Sequence, residues 1–395
     1  MDLAAFNQLL TPSGQEVLQS VGLLEPREQD FLLHFQRLEK QYPAEIARAA
    51  LEISILRSEA KDKFPRAEKM YFTRNALEQA SSDQVSAYRA KRFRPFEQLL
   101  DLGCSIGGDT IHLARYAPTV GIDIDPLRMA MAQANAHALG LANQVSFTRV
   151  DLTCSLPVRG SDQMAAFFDP ARRAAGKRVH SVRDYIPPLN IVRDWLPNIP
   201  TLGVKISPGV KFDEIRPYDA EIEFISLSGD LKEAVLWFGS LKTSQRRATV
   251  LPGPHTLVAD DLQTALQLNE PLEYLYEPDA AVMRAGLVRT LGRKLGAFQL
   301  DPDIAYLTAE KMEQSPFARV WRIEDWFPFG VKRLRSYLRE RGVGKVTVKK
   351  RGSPLQPEEL IRMLRLNGDD QRVVFLTHLD GRPIVIVCFP PGSAD

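Results

Sequence analysis

From Phe96 onward, short apolar runs alternate with helical stretches, and no other feature restricts the possible fold as much. The runs FEQLLDLG, TVGIDID, VSFTRVD, MAAFFDP and TLGVKIS are separated by segments such as DTIHLARYA and PLRMAMAQANAHALG. Strands alternating with helices build βαβ units and hence a mainly parallel sheet, so the fold class is α/β. Further on, EIEFISLSGDLKEAVLWFG reads as two strands around a turn at Ser228-Gly229-Asp230, which predicts an antiparallel hairpin at the end of the sheet. In open parallel sheets, ligands bind outside the carboxyl ends of the strands, near the topological switch point. The strand tips are therefore where chemistry is to be sought.

A chain of 395 residues is too long for one ordinary core, and its character changes along its length. Residues 1–92 read as a helical domain: Leu32, Leu33, Phe35, Leu38 and Tyr42 recur at helical spacing, Pro43 starts a new helix and Pro65 marks a break. Residues 93–270 carry the sheet. Residues 271–318, with Pro278 and Pro302, read as a linker, and 319–395 as a small basic α+β domain. In that last domain FGVKRLRSYLRERG and EELIRMLRLNG are predicted helices, GKVTVKKRG a strand, and RVVFLTHLDGRPIVIVCFP a hairpin turning at Asp380-Gly381.

The formal charge is only +2, but it is unevenly spread. Between Arg319 and Arg365 thirteen basic residues face five acids, a net +8 against −6 for the rest of the chain. Such asymmetry points to a polyanion-binding module on a near-neutral body. A helix over 329–341 would put Lys332, Arg335 and Arg339 near one face, with Leu334, Tyr337 and Leu338 toward a core. A strand over 345–350 would project Lys345, Thr347 and Lys349 to one side, and Val346 and Val348 to the other. The bland alternative is a solvated face that only aids solubility.

Composition removes other classes. At 44% hydrophobic and 25% charged, with mean hydropathy −0.20, the chain is neither collagen-like, nor a coiled coil, nor mostly disordered. No apolar stretch approaches the roughly 20 residues of a membrane helix, and the start lacks the pattern of a signal peptide. Cys104, Cys154 and Cys388 lie far apart and form no CxxC pair, which argues against a disulfide scaffold or zinc finger and for a reducing, cytoplasmic setting. The six histidines show no metal spacing, so no metal is expected.

The first strand ends in Asp101-Leu102-Gly103-Cys104-Ser105-Ile106-Gly107-Gly108-Asp109. The glycine spacing is not that of a dinucleotide loop, so a nicotinamide dehydrogenase fails here. An acid at the tip suits an ammonium group and repels a phosphate; S-adenosylmethionine, with its amino-acid tail and sulfonium, fits. An ordinary βα turn is the alternative. Asp123 ends the second strand, where a carboxylate can chelate a ribose diol; Asp125 is a rival for that role or a helix cap. Asp151 ends the third, placed to accept from an adenine amino group. One strand-end Asp is commonly a turn residue, but three on successive strands are less easily chance.

The fourth tip reads Phe167-Phe168-Asp169-Pro170-Ala171-Arg172-Arg173. Asp169 could hold, or take a proton from, an attacking nucleophile, or simply form a tight turn with Pro170. Arg172 and Arg173 could grip a phosphate or a base edge as planar forks, or pair with surface acids. Tyr185, in Asp184-Tyr185-Ile186-Pro187-Pro188, could stack on a base in the acceptor pocket, or belong to a helix-entry turn.

These motifs resemble the class I S-adenosylmethionine-dependent methyltransferases. More narrowly, DPARR, VKISPGV and the basic tail are similar to bacterial methyltransferases that end in a THUMP-like domain; the glycine loop and GIDIDP also resemble the trimethylguanosine synthases. The resemblance covers roughly residues 70 to 390. It implies a seven-stranded Rossmann-like methyltransferase sheet, with Asp101, Gly103 and Gly107 at the cofactor tail, Asp123 on the ribose and Asp151 on the adenine. Cys104, Ile124 and Leu152 adjoin these positions. The segment LEQASSDQVSAYRAKRF matches a lid that precedes the core in such enzymes, so Gln79 and Ser81 are expected to touch the cofactor; a polar helix start is the alternative.

The fourth tip departs from the pattern. Amino-methylating relatives carry Pro-Pro-aromatic after the acid, with the aromatic stacking on the base; here Ala171-Arg172 replaces it, which puts guanine-N2 or adenine-N6 chemistry in doubt. DPARR is nearer the Asp-Pro-Pro-Arg of uracil-C5 enzymes, but those need a downstream nucleophilic cysteine. The only later one, Cys388, lies in an apolar hairpin. The expected function is direct in-line methyl transfer to RNA, without metal or covalent adduct, with Asp169 and Pro170 at the reacting centre. Arg172, Arg173, Tyr185, Lys332, Arg335, Lys345 and Lys349 are the expected RNA contacts. The alternatives are a small-molecule or protein methyltransferase, and a non-catalytic RNA-binding protein that keeps the fold as a scaffold.

Overall fold

A computed structural model describes residues 1–391, apart from 155, 157, 159, 175–176, 179–180 and 261–263; for 173–174 and 177–178 it describes the backbone alone. The chain forms two compact units, Met1–Glu223 with Lys232–Thr243, and Phe224–Leu231 with Ser244–Asp395.

The first unit starts with helices α1 (Leu3–Leu9), α2 (Pro12–Gly22), α3 (Phe31–Leu38) and α4 (Ala44–Glu59). Asp2 caps α1 by accepting from the Ala5 N–H, and Pro12 follows the cap Thr11 at the first position of α2. Of the apolar residues in α3, Leu38 is buried, whereas Leu32 and Leu33 are about 70% exposed. Phe6, Leu9, Val17, Leu51 and Phe72 share one core with Ile106, Ile111 and Met131, so the helical segment packs directly on the sheet domain's helices. Two short helices, α5 (Arg74–Gln79) and α6 (Asp83–Ala90), lead into the sheet.

The strands alternate with helices as expected: β1 (Gln98–Leu102), α7 (Thr110–Leu113), β2 (Thr119–Asp123), α8 (Pro126–Ala138), β3 (Val145–Arg149), β4 (Met164–Phe168) and β5 (Leu202–Ile206). They lie parallel in the order β3-β2-β1-β4-β5. The chain therefore runs outward from β1 to β3 and returns on its other side, leaving a switch point between β1 and β4. The expected hairpin strands are β6 (Glu221–Leu227) and β7 (Asp230–Trp237); Ser228 and Gly229 both take positive φ in the turn, and β7 runs antiparallel to β5.

The second unit holds the antiparallel pair β8 (Arg246–Leu251) and β9 (His255–Val258), and a seven-stranded sheet. That sheet contains β10 (Tyr274–Pro278), β11 (Phe298–Asp301), β12 (Ile304–Ala309), β13 (Ala318–Pro328), β14 (Val343–Lys350), β15 (Asp370–Leu379) and β16 (Arg382–Cys388), in the order β11-β12-β10-β13-β16-β15-β14. Residues 271–318, read as a linker, are thus structured: they supply three strands and the helices Ala280–Arg284 and Val288–Leu295. Their apolar runs are only four to six residues long, too short to display a period, yet Leu275, Leu300 and Tyr306 are core residues of this sheet. The hairpin turns at Asp380-Gly381 as expected, and both of its faces are covered. Val374, Leu376, Val385 and Val387 pack beneath α9 (Val331–Glu340) and α10 (Pro357–Leu364), while Val373, Phe375, Ile384, Ile386 and Cys388 face the other way.

Candidate active site

A cavity of about 540 Å³ opens at the tips of β1, β2 and β4. Gly103 makes it possible. Its φ is +80°, and a Cβ there would lie 2.8 Å from the Asp169 carbonyl oxygen, so only glycine lets the first tip pass so close to the fourth. Asp123 fixes the loop that follows: the Ser105 N–H donates to its Oδ2 (2.8 Å) and the Asp125 N–H to its Oδ1 (3.0 Å). Asp125 itself accepts from the N–H groups of Leu127 and Arg128 and is the N-cap of α8. Asp151 is exposed, and Thr153 donates to it through both N–H and hydroxyl, which holds its carboxyl below the usual range.

The wall brings together most of the predicted residues: Gln79 at the end of α5 and Ser81 just beyond it, Gly103 and Cys104, Asp123 and Ile124, Asp151 and Leu152, and Asp169, Pro170 and Arg172. Asp109 and Asp125 add to the acids. Such a carboxylate-rich wall suits a cationic ligand and opposes a phosphate. Arg172 has a buried Nη1 without a partner among the described residues.

Three predicted residues lie elsewhere. Asp101 is 1% exposed and off the wall; the Thr110 hydroxyl donates to it at 2.5 Å. Burial pushes its carboxyl up to about 8, and the charge of Asp109 adds to the shift. Gly107 also stays off the wall, with positive φ and α8 close behind it: a Cβ there would meet Ala132 at 3.3 Å. Tyr185 is 1% exposed and cannot stack on a bound base; its hydroxyl instead accepts from the Ser207 N–H (2.9 Å) and braces the loop after β5. The side chain of Arg173 lies outside the described residues.

Behind the wall is a set of buried ions that the strand-tip reasoning missed. Arg89, on α6, pairs with both Asp109 and Glu233, and donates to the hydroxyls of Ser81 and Ser86. Its guanidinium also lies over the Phe167 ring, 4.7 Å from the centroid. Burial works against the charge of Asp109, but Arg89 and Lys205 outweigh it and hold the carboxyl below the ordinary range. Lys205, on β5, donates to Asp169 Oδ2 at 2.6 Å. Nearby, Glu223 accepts from the Tyr88 hydroxyl (2.6 Å) and the Trp237 indole N–H (2.8 Å). The signal in the sequence was present: a lysine inside the apolar run LGVKI, and glutamates inside EIEFIS and LKEAVLW, must be partnered if those strands are buried.

In the second unit, Lys332 and Lys345 are exposed as expected. Arg335 and Lys349 are not free. Arg335 and Arg339 donate to the Met363 and Arg365 carbonyls at the end of α10, where cations complement the helix dipole. Lys349 pairs with Glu277 and sits over the Trp321 ring, 5.0 Å from its centroid.

Comparison with known proteins follows the same division. A family model described as THUMP domain-like matches residues 318–390, one described as RNA cap guanine-N2 methyltransferase matches 96–169, and a domain of unknown function matches 2–60. An uncharacterized S-adenosylmethionine-dependent methyltransferase of Mycobacterium tuberculosis H37Rv is 35% identical over 313 residues, which is 78% of this chain and 84% of that one. The chain belongs to the S-adenosylmethionine-dependent methyltransferases. This methyltransferase is also 32% identical to trimethylguanosine synthase of Schizosaccharomyces pombe over 98 residues, 23% of this chain and 41% of the relative. It is 31% identical to the 23S rRNA (uracil(747)-C(5))-methyltransferase of Cronobacter sakazakii over 143 residues, 35% and 38% of the two chains. Its fold matches a crystal structure of a methyltransferase from Porphyromonas gingivalis W83, with TM-score 0.72 over 93% of this chain and 99% of that one, at 19% identity. S-adenosylmethionine, its cofactor, supplies a methyl group on a cationic sulfonium, in keeping with the acidic wall. Among the described residues, no helix is long and apolar enough to cross a membrane, and no group of His, Cys, Asp and Glu is arranged to hold a metal.

Proposed function

We propose that this methyltransferase acts on RNA, with the strand-tip cavity performing the transfer and the THUMP-like unit contributing to the grip on the nucleic acid. The observation that carries the reading is the pairing of a methyltransferase core with a THUMP domain-like segment bearing exposed Lys332 and Lys345. Relatives of the core act on RNA by name, at a cap guanine or at uracils of 23S rRNA. Asp123 holds the cofactor ribose, Asp151 lies at the adenine, and Gln79 and Ser81 cover the donor. Asp169 orients the acceptor, and the unpartnered Nη1 of Arg172 meets an oxygen of it. In-line displacement at a sulfonium releases a neutral leaving group, so alignment is the main requirement. The scheme uses no covalent cysteine adduct: Cys388 is fully buried in the second unit's core, burial raises the Cys104 thiol well above its usual range, and Cys154, though exposed, is not on the cavity wall.

Asp123→Ala is expected to weaken S-adenosylhomocysteine binding by about 1–3 kcal/mol, through loss of a charged acceptor that also holds two backbone N–H groups. Isothermal calorimetry measures this directly, and an unchanged affinity would remove Asp123 from the cofactor site.

The ion pair of Lys349 with Glu277 favours a second reading, a small-molecule or protein acceptor, because it takes one of the expected cations out of the free positive charge. Salt separates the two. Affinity for RNA should fall steeply with rising salt, and Lys332→Ala and Lys345→Ala should each lower the log–log slope by about one unit at most. Lys349→Ala should leave the slope unchanged, since that charge is spent on Glu277. An RNA affinity insensitive to salt and to both exposed lysines would move the second reading ahead.

A further inference from the structure

We propose that Lys205 is a positioning residue for methyl transfer: its buried ammonium fixes the Asp169 carboxylate at the cavity wall and ties it to the backbone of the segment that covers the donor. The proposal rests on the reading above, in which Asp169 lies beside the acceptor.

All five residues of β5 are buried, and Lys205 is the one ion among them. A hydrophobic side chain of similar volume would hold such a strand at least as well, because a buried ion pair returns little more than the hydration it forfeits. What a hydrophobe cannot do is hold a carboxylate in one place. Lys205 donates to Asp169 Oδ2 at 2.6 Å, and lies 3.5 Å from the Gln79 carbonyl oxygen. Asp169 and Gln79 both line the cavity, whereas Lys205 does not, so it acts through them rather than on the acceptor. With Oδ2 engaged by the Lys205 ammonium, Asp169 has Oδ1 left to present as a hydrogen-bond acceptor. Its work is then orientation rather than proton removal.

The covering segment is held by a second cation. Lys63 Nζ donates to the Leu77 carbonyl at 2.6 Å and the Glu78 carbonyl at 3.4 Å. Burial pushes Lys63 down to about 8, and the charge of Lys205 adds to the shift. Three successive carbonyls at the end of α5 thus meet two ammonium groups, the arrangement a helix C-terminus favours. One of the two also holds the acceptor carboxylate, so the donor's cover and the acceptor's anchor share a single charge.

The test compares Lys205→Met, Lys205→Arg, Asp169→Asn and the Lys205→Met/Asp169→Asn pair in the full chain. Single-turnover transfer is followed from labelled S-adenosylmethionine to RNA extracted from cells lacking the protein, and S-adenosylhomocysteine binding by calorimetry. Lys205→Met should slow transfer by about 10- to 100-fold with both ligand affinities changed less than about threefold. Lys205→Arg should recover most of the rate, and the double variant should be no slower than Asp169→Asn, because the two residues act as a unit. Should Lys205→Met fail to fold, the neutral pair is compared with Asp169→Asn instead, and an additional loss in the pair overturns the proposal. Slow Asp169→Asn beside wild-type Lys205→Met overturns the role of Lys205 and leaves Asp169 in place; wild-type rates in both overturn the reading of Asp169 itself. Amide hydrogen exchange supplies a readout that needs no acceptor. Residues 79–81 and 169–171 should exchange faster in Lys205→Met and not in Lys205→Arg, and unchanged exchange in both would sink the coupling.

Discussion

Asp169→Ala is expected to lower single-turnover methyl transfer by roughly 100-fold or more while leaving S-adenosylhomocysteine affinity within about threefold. The carboxylate follows β4 directly, lines the cavity, and keeps its side chain 22% exposed although the strand behind it is buried. It therefore faces whatever enters the cavity. The truncation removes an acceptor of hydrogen bonds and leaves the Lys205 ammonium without its nearest carboxylate, so Asp169→Asn is the gentler companion. If Asp169→Ala transfers methyl groups at the wild-type rate, Asp169-Pro170 is a turn and nothing more.

Arg89→Met should destabilise the fold by about 3–5 kcal/mol, because it strands two carboxylates where water cannot reach them easily. The side chains of Arg89, Asp109 and Glu233 are 2%, 14% and 3% exposed. Burial opposes the guanidinium's charge, but Asp109 and Glu233 outweigh it and raise its pKa. Urea unfolding gives the measurement as a shift in midpoint at constant slope. Replacing Glu233 by Gln in the Arg89→Met background should recover part of the loss, since one of the two stranded charges is gone. A destabilisation below about 1 kcal/mol would mean that water reaches the cluster and solvates it.

The sheet was legible because its strands alternate with helices at lengths that leave few other assignments, and because ligand chemistry gathers at strand ends. Asp123, Asp151 and Asp169 reach the wall for that reason. Asp101 satisfies the same rule and yet turns inward, because Thr110, nine residues on, offers a hydroxyl beneath the loop. Position along a strand fixes where a residue sits, but not which neighbour claims its side chain. That Lys205 and Glu233 need partners could be read from their apolar strands, but which partners could not: the Arg89–Glu233 and Lys205–Asp169 pairs span 144 and 36 positions, and no local pattern reports them. Counting charge in the C-terminal segment overstated the free surface, since Lys349 is paired with Glu277, while Arg335 and Arg339 keep their charge but have their geometry set by the carbonyls of Met363 and Arg365. The strands of 271–318 were missed because four to six residues are too few to show alternation.

Arg89 also bears on the order in which the protein can be made. The cation is in place once α6 has left the ribosome, but Glu233 follows it by 144 residues. Until β7 is synthesised, the guanidinium has Asp109 but not its second carboxylate, and Ser81 lacks the acceptor for its hydroxyl. A nascent chain that already contains β1 to β5 therefore holds every strand tip of the cavity and the ammonium groups of Lys63 and Lys205, but not the carboxylate that engages Ser81 and Arg89. Long-range closure of this kind is slow to form. Completion of this ion cluster thus comes late in translation, with the hairpin rather than with the glycine loop.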